Sequence, residues 1–229
     1  MPRPTLLAVS HGTSDAEGAR TIAELVDRVA DALPDVAVRA AFVDVQQPDA
    51  KDAVPAIEGP VVIVPLLLSS GFHVHHDLHG IAGKRADAVV ADPMGPDPRL
   101  AEVLAERLAA HLPPASDGPV ILAVAGSRDP RSLTDAEGMA ALLQQHLGRA
   151  VELAYLAARQ PDLPTALENH PDAVVSIYLL ARGYFFDLAE RQAPGRTITL
   201  PLLDGGPVPQ ALIDLVVARY VDAEARLDD

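Results

Sequence analysis

The chain has 229 residues, of which 49% are hydrophobic, and it carries a formal net charge of −14 with no cysteine. This acidity argues against a nucleic-acid surface, which needs clustered Lys and Arg, and disfavours an anionic membrane as a partner. The lack of cysteine excludes disulfides, thiolate metal sites and Cys nucleophiles.

Neither a transmembrane segment nor a signal peptide is predicted. The longest apolar run, residues 61–68, is shorter than the roughly 20 residues that cross a bilayer. The first twelve residues lack the layout of a processed leader. We therefore expect a cytoplasmic protein.

The first half of the chain alternates short apolar runs with amphipathic segments. The runs show little internal alternation, which is typical of parallel strands covered on both faces. They lie near residues 4–10, 36–43, 61–67 and 87–91. Aliphatic residues recur at helical spacing over 17–33 and 98–112, and Pro98 suits a first helical turn.

The second half repeats this alternation. Strands are predicted near residues 119–125, 150–155, 173–179 and 196–200, and helices near 133–147 and 207–224. The pattern predicts an α/β fold with two tandem doubly wound parallel sheets, each of four strands.

Three motifs recur in order at a nearly constant offset, which indicates a tandem duplication. The motifs align Gly12 with Gly126, Gly71 with Gly183, and Gly95 with Gly206. A Pro/Gly/Ser/Asp-rich stretch at 112–119 predicts the join. We expect an N-terminal unit over 1–114, which carries the histidine site, and a C-terminal unit over 115–229 without it.

The histidines are the strongest indication of function. Four of the eight lie within residues 73–79, and His11 ends the apolar run LLAVSHG. A strand order of 2-1-3-4 would make the first and third strands neighbours, so His11 and His73 would both follow the carboxyl edge of the sheet at its switch point, where such sheets bind ligands. Imidazole there suits metal binding or proton transfer near neutral pH.

SHGTS after the first strand, followed by PLLLSSGFHVHHDL after the third, resembles the sirohydrochlorin chelatases of the small class II type. The resemblance covers essentially the whole chain, because GSRDPR at 126–131 is similar to the same first-strand motif without its histidine. It implies insertion of a divalent metal, Fe²⁺ or Co²⁺, into a carboxylate-rich tetrapyrrole, with no tightly bound cofactor.

The resemblance assigns the central roles to His11 and His73. Two pyrrole N–H protons must leave as the metal enters, and neutral imidazole can both ligate such metals and accept protons. Which histidine does which stays open. Iron is the first choice on the resemblance. No GxxxxGK[ST] loop occurs, so the reaction is expected to proceed without ATP.

The second half departs from the motif. Ala125 aligns with His11 and Phe185 with His73, and neither side chain can bind a metal or accept a proton. One active site per chain is therefore expected, with the second half as a wall or lid of the pocket. The chain then resembles a fused dimer and is expected to be a monomer with pseudo-dimeric halves.

Binding a substrate with several carboxylates requires hydrogen-bond donors and basic side chains, although the chain as a whole is acidic. The candidates for substrate binding are Ser10, Thr13, Ser69, Ser70, His75, His76, Arg128 and Arg182. Further basic residues near the predicted site are His79, Lys84, Arg85 and Arg131. The aromatic residues Tyr184, Phe185 and Phe186 belong either to the core or to a surface that stacks on the macrocycle.

Two alternatives accompany the chelatase hypothesis. A histidine phosphatase also carries His-Gly after its first strand. That chemistry requires an arginine directly before the histidine to bind the phosphoryl oxygens, and this chain has Ser10 at that position. A non-catalytic metal or tetrapyrrole-binding protein would use the same ligands as the chelatase. The sequence separates this last alternative poorly from the enzyme.

Overall fold

The computed structural model describes residues 3–71, 73–112 and 118–227, and the side chains of all these residues except 73–75. The strands are β1 (Thr5–Ser10), β2 (Val38–Phe42), β3 (Val61–Pro65), β4 (Ala88–Val90), β5 (Val120–Val124), β6 (Val151–Tyr155) and β7 (Val174–Tyr178). The α-helices are α1 (Ala16–Ala32), α2 (Ala50–Ala53), α3 (His79–Ala82), α4 (Pro98–Ala109), α5 (Pro130–Leu147), α6 (Leu163–Asn169), α7 (Tyr184–Gln192) and α8 (Gln210–Glu224). A π-helix spans His73–Leu78, and 3₁₀ turns span Val54–Ala56 and Ala225–Leu227.

Aspartate fixes where many of the helices begin. At the start of α1, α2, α4, α5 and α6, an Asp side chain accepts a hydrogen bond from a backbone N–H of the first turn. Such caps satisfy amides that have no partner within the helix. Proline follows the cap directly in α4 and α5, where its missing N–H costs nothing.

The first sheet is parallel with strand order β2-β1-β3-β4, as predicted. Its register pairs Leu6 with Val38 on one side and with Val62 on the other. Leu7, Val9 and Ile63 belong to a buried cluster that also holds residues of α2 and α3. Because side chains alternate along a strand, Leu6 and Ala8 face the opposite layer. Helix α8 lies against β3 and α1.

The second sheet is parallel with strand order β6-β5-β7. The predicted fourth strand at 196–200 is wrong in extent, because this segment contributes only a single parallel bridge between Val175 and Ile198 among the described residues. Two backbone bonds accompany it, from Val175 N to Thr197 O at 3.0 Å and from Thr199 N to Val175 O at 2.9 Å. The segment therefore covers the sheet edge without extending the ladder.

The chain divides into two compact units, and the division differs from the predicted 1–114 and 115–229. One unit contains residues 1–94 and 205–229, and the other contains 95–204. The last long helix of each repeat belongs to the other unit: α4 packs on α5 and β7, whereas α8 packs on α1, β3 and β4. The join near residue 114 stays a prediction about the sequence repeat, while the compact units exchange these helices.

Candidate functional site

The carboxyl edge of the first sheet brings two chain segments together. Val9 of β1 pairs with Pro65 of β3, and the amide of Leu66 donates to the carbonyl of Val9 at 2.8 Å. His11 follows β1 directly, and residues 66–71 follow β3 toward the histidine-rich helix. Since β1 lies between β2 and β3, this edge is the switch point at which α/β sheets bind ligands.

The imidazole of His11 is exposed. Its Nδ1 lies 3.3 Å from the carbonyl oxygen of Gly12, and its own backbone carbonyl accepts a hydrogen bond from Asp44 N at 3.0 Å. The backbone is thus held at the sheet edge while the ring is accessible to solvent. A histidine packed in the core would be enclosed, and His11 is not.

Gly12 is required by the path of the chain. Its φ is +90°, and a Cβ at this position would lie 2.3 Å from Asp44 O. Any other residue would combine a disfavoured backbone conformation with a steric overlap. Gly12 therefore allows the loop of residues 11–15, the His11 loop, to pass close against the loop of residues 43–49, the β2 loop.

The His11 loop is held by a chain of hydrogen bonds. The amide of Thr13 donates to Gln46 Oε1 at 2.9 Å, and the hydroxyl of Thr13 accepts from Asp15 N at 3.1 Å. Asp15 in turn accepts from Gly18 N at 2.7 Å at the start of α1. The hydroxyl proton of Thr13 is still able to donate to a carboxylate, which fits its predicted role.

Ser10 differs from that prediction. It is 3% exposed, and its Oγ is enclosed without a hydrogen-bond partner among the described residues. A substrate group reaches this hydroxyl only if neighbouring atoms move. In this structure Ser10 lies beneath the site, directly before His11.

The segment after β3 leads into the histidine-rich helix. Ser69 and Ser70 are half-buried, and His76 and His79 are exposed. The side chains of His73 and His75 lie outside the described residues, so their predicted roles stay predictions. The backbone over His73–Leu78 is a π-helix, a rare conformation that is frequent at functional sites.

Leu78 anchors this helix below the histidines. It is fully buried in the cluster that contains Leu7, Val9 and Ile63. The apolar end of the π-helix is thereby fixed on the same two strands whose carboxyl ends carry the predicted site. Among the described residues, no group of three or more His, Asp or Glu side chains could hold a metal.

The second unit repeats the geometry of the loop after its first strand, without the histidine. Gly126 has φ +87°, and a Cβ there would lie 2.0 Å from Ala157 O. Ala157 N donates to Ala125 O at 3.1 Å, as Asp44 N does to His11 O. The alignment of Gly12 with Gly126 is therefore supported by equal backbone geometry.

Arg128 and Arg182 follow the neighbouring strands β5 and β7. Arg128 is exposed, and Arg182 is half-buried with its guanidinium carbon 4.7 Å from the centroid of the Phe186 ring. Both lie beyond the carboxyl ends of adjacent parallel strands, where anions are commonly bound. Their predicted contacts to substrate carboxylates stay predictions.

Other arginines hold the backbone instead. Within the described part of the chain, seven donate to main-chain carbonyls, namely Arg85, Arg107, Arg149, Arg159, Arg196, Arg219 and Arg226. Arg85 uses all five of its donors, three bonds going to the carbonyls of Val54, Ile57 and Gly59 and two to Asp87. All N–H donors of the Arg85 side chain are therefore engaged within the protein.

Arg131 is also engaged. Its guanidinium makes two hydrogen bonds to the Asp129 carboxylate, and this pairing raises the pKa of Arg131. The pair leaves little net positive charge for a ligand. Lys84 is exposed at the end of α3, and no feature of the structure assigns it to the site.

The three consecutive aromatic residues separate into different environments. Phe186 is 2% exposed, and Phe185 packs on the buried cluster of the second unit. Tyr184 is 68% exposed and meets Phe185 edge-to-face at 5.3 Å. Only Tyr184 of these three presents its ring at the surface for stacking.

Sequence reasoning missed the part played by Gln46. Nothing in the local pattern distinguishes Gln46 from the adjacent Gln47, and only the close approach of two loops places one amide oxygen on Thr13 N. The π-helical backbone of the histidine-rich segment was also not predicted. The repeat gave no signal for Gln46 either, because the matching position holds Arg159, a residue of different chemistry.

The fold is shared with solved chelatase structures. SirB from Bacillus subtilis with Fe³⁺ superposes with a TM-score of 0.79 at 20% identity, covering 98% of each chain. At this identity the likeness shows the fold alone. The molecule is thus an α/β protein with the tandem chelatase architecture.

Residues 5–111 and 119–193 match the CbiX family. The chain belongs to this family. A sirohydrochlorin ferrochelatase of Priestia megaterium is 28% identical over 195 residues, which cover 78% of this chain and 73% of that protein. A sirohydrochlorin cobaltochelatase of Methanosarcina acetivorans is 27% identical over 120 residues, covering 45% of this chain and 92% of that protein.

No helix in the described part of the chain is long and apolar enough to cross a membrane.

Proposed function

We propose that this protein is a sirohydrochlorin chelatase that inserts a divalent metal, Fe²⁺ in the first instance, into the tetrapyrrole. His11 and His73 share metal delivery and proton abstraction. The observation that carries the proposal is the position of the exposed His11 after β1, beside the segment that leaves the neighbouring β3 toward His73, in a chain of the CbiX family.

Metal insertion requires groups that bind the metal transiently and also accept protons. Neutral imidazole does both, whereas a carboxylate cluster would hold a hard cation and a thiolate would hold the metal too firmly. The accessible ring of His11, on a backbone fixed by Asp44, is suited to approach the nitrogens of a flat macrocycle. The metal is a substrate here, and the protein supplies the orientation.

The chain has a net charge of −14, so hydrogen-bond donors and cations close to the site must bind the carboxylates of the substrate. Exposed charges interact over about 8 Å at physiological salt, so only groups close to the site contribute. Thr13, Ser69 and Ser70 supply hydroxyls near the first sheet edge. Arg128 and Arg182 stay the predicted basic contacts on the basis of the sequence.

Cobalt is the second candidate metal. The relatives include both a ferrochelatase and a cobaltochelatase at similar identity. Histidine ligands do not decide between Fe²⁺, Co²⁺ and Ni²⁺, since imidazole binds all three. The choice of metal has to be measured.

The test is anaerobic insertion with sirohydrochlorin and each of Fe²⁺, Co²⁺ and Ni²⁺, followed by absorbance. The protein should accelerate insertion over the metal-only reaction, and His11→Ala and His73→Ala should each remove the acceleration. His146→Ala, at an exposed position in the last turn of α5, is the control and should behave as the unsubstituted protein.

A rate equal to the metal-only reaction would reject the enzyme hypothesis. If tight metal binding accompanied that result, the protein would be a carrier that uses the same histidines. Omission of ATP should make no difference to the rate. A monomeric, cytoplasmic enzyme is the accompanying prediction, and its oligomeric state is checked by sedimentation.

A further inference from the structure

The β2 loop holds the His11 loop on both sides of Gly12. On one side Asp44 N donates to His11 O at 3.0 Å, and on the other Thr13 N donates to Gln46 Oε1 at 2.9 Å. The first bond joins two backbones and is available to any residue other than proline at position 44. The second bond requires an acceptor side chain, so it depends on the identity of residue 46.

The β2 loop itself has an unusual backbone. Val45 has φ +60° and is 57% exposed, and β-branched residues rarely adopt this conformation. Gln46 N donates to Asp44 O at 2.6 Å across this turn. Conformations of this kind persist where the surroundings fix them, often beside functional sites. Here the turn directs the half-buried Gln46 onto the His11 loop.

The second unit has the same turn with the opposite hydrogen-bond polarity. Ala158 has φ +66°, and the residue that matches Gln46 is Arg159. The guanidinium of Arg159 donates to the carbonyls of Ser127 and Asp129. A cation therefore holds the loop that lacks the histidine. A neutral acceptor holds the loop that carries it, where a fixed positive charge would repel an incoming divalent metal.

We infer that Gln46 is a positioning residue for His11: its amide oxygen fixes the Thr13 amide and thereby the direction in which the imidazole leaves the sheet edge. The effect on catalysis rests on the proposed function. The effect on the loop does not, because it follows from the hydrogen bond alone.

The experiment compares Gln46→Met with Gln47→Met. Gln47 is the matched control, since its Oε1 also accepts a backbone N–H, that of Asp49 at 3.0 Å, but it does not bond to the His11 loop. Methionine keeps the length of the side chain and removes the acceptor. Gln46→Glu restores an acceptor oxygen at the same position.

Two measurements are made on each variant. Hydrogen exchange at the Thr13 amide should become about threefold to tenfold faster in Gln46→Met, as the loss of one hydrogen bond predicts, and should be unchanged in Gln47→Met. The kcat for metal insertion should fall by about threefold to tenfold in Gln46→Met, with KM for the tetrapyrrole changing less than about twofold. Gln46→Glu should recover both values to within about twofold.

Equal kcat in Gln46→Met and Gln47→Met, or a change confined to KM, would overturn the inference. Failure of Gln46→Glu to restore kcat while it restores slow exchange would likewise overturn it. If the unsubstituted protein inserts no metal, the proposed function fails, and the exchange at Thr13 then decides by itself whether Gln46 positions the His11 loop.

Discussion

Gly12→Ala tests the close approach of the His11 loop and the β2 loop. The added Cβ would lie 2.3 Å from Asp44 O, so this carbonyl must retreat by about 0.7 Å to reach even 3.0 Å. Overpacking of this kind costs about 1–3 kcal/mol, and the positive φ adds about 1–2 kcal/mol for a non-glycine residue. We expect Gly12→Ala to lower the free energy of unfolding by about 2–5 kcal/mol.

Two other glycines separate the contributions. Gly148, which ends α5, has φ +64° with nothing within 4 Å of its Cβ position, so Gly148→Ala should show the conformational cost alone, about 1–2 kcal/mol. Gly126→Ala meets Ala157 O at 2.0 Å and should cost at least as much as Gly12→Ala. Only Gly12→Ala displaces His11.

The assay is urea unfolding followed by circular dichroism, together with the initial rate of metal insertion at a temperature where all variants are folded. Gly12→Ala should lose much more rate than Gly126→Ala for a similar loss of stability, because a displacement of about 1 Å at a catalytic group can cost about 100-fold. If Gly12→Ala were no less stable than Gly148→Ala, the steric argument would be refuted. If the rates of the two loop variants fell equally, the role of His11 would be wrong.

Burial raises the pKa of Tyr220 to about 12, so the folded state favours the neutral phenol. The resulting contribution to the free energy of unfolding is complete below pH 10 and is lost as the pH rises toward 12. Unfolding measured from pH 8 to 12 should therefore show a fall in stability that is shallower in Tyr220→Phe, and equal slopes would contradict this. Arg85→Lys should lower the free energy of unfolding by about 2–4 kcal/mol, because lysine cannot replace the five donors of arginine. In the same urea titration, the control Lys84→Gln at an exposed position should change the free energy of unfolding by less than about 0.5 kcal/mol. Arg128→Gln should raise KM for sirohydrochlorin by about threefold to tenfold with little change in kcat, as expected for a contact to a substrate carboxylate. An unchanged KM in steady-state kinetics would show that Arg128 does not belong to the site.

The sequence by itself predicted the parallel strands that flank the candidate site. Runs such as 61–67 lack alternation because both faces of the strand are covered, and this makes buried parallel strands recognisable. The order of the first sheet is the one assumed from the sequence, and it is one of the two common orders of doubly wound folds. The position of His11 after β1 could therefore be predicted from its place in the chain.

The repeat was also visible in the sequence, because its glycines are constrained by backbone geometry. Gly12 and Gly126 both need a positive φ and the lack of a Cβ, so they persist as landmarks although the neighbouring residues differ. The same comparison identified Ala125 at the position of His11. The two glycines thus mark the backbone geometry that both repeats share. The histidine marks the predicted chemistry, which only the first repeat carries.

Only the tertiary structure decided how the elements are shared between the units. Helical periodicity shows that α4 and α8 each have an apolar face, but it does not name the sheet that covers that face, and each helix packs in the unit formed mainly by the other repeat. The bonds from Gln46 to Thr13 and from Arg85 to the carbonyls of 54–59 span tens of residues. Such contacts depend on the close approach of loops in space, and a local pattern of residue types carries no information about that distance.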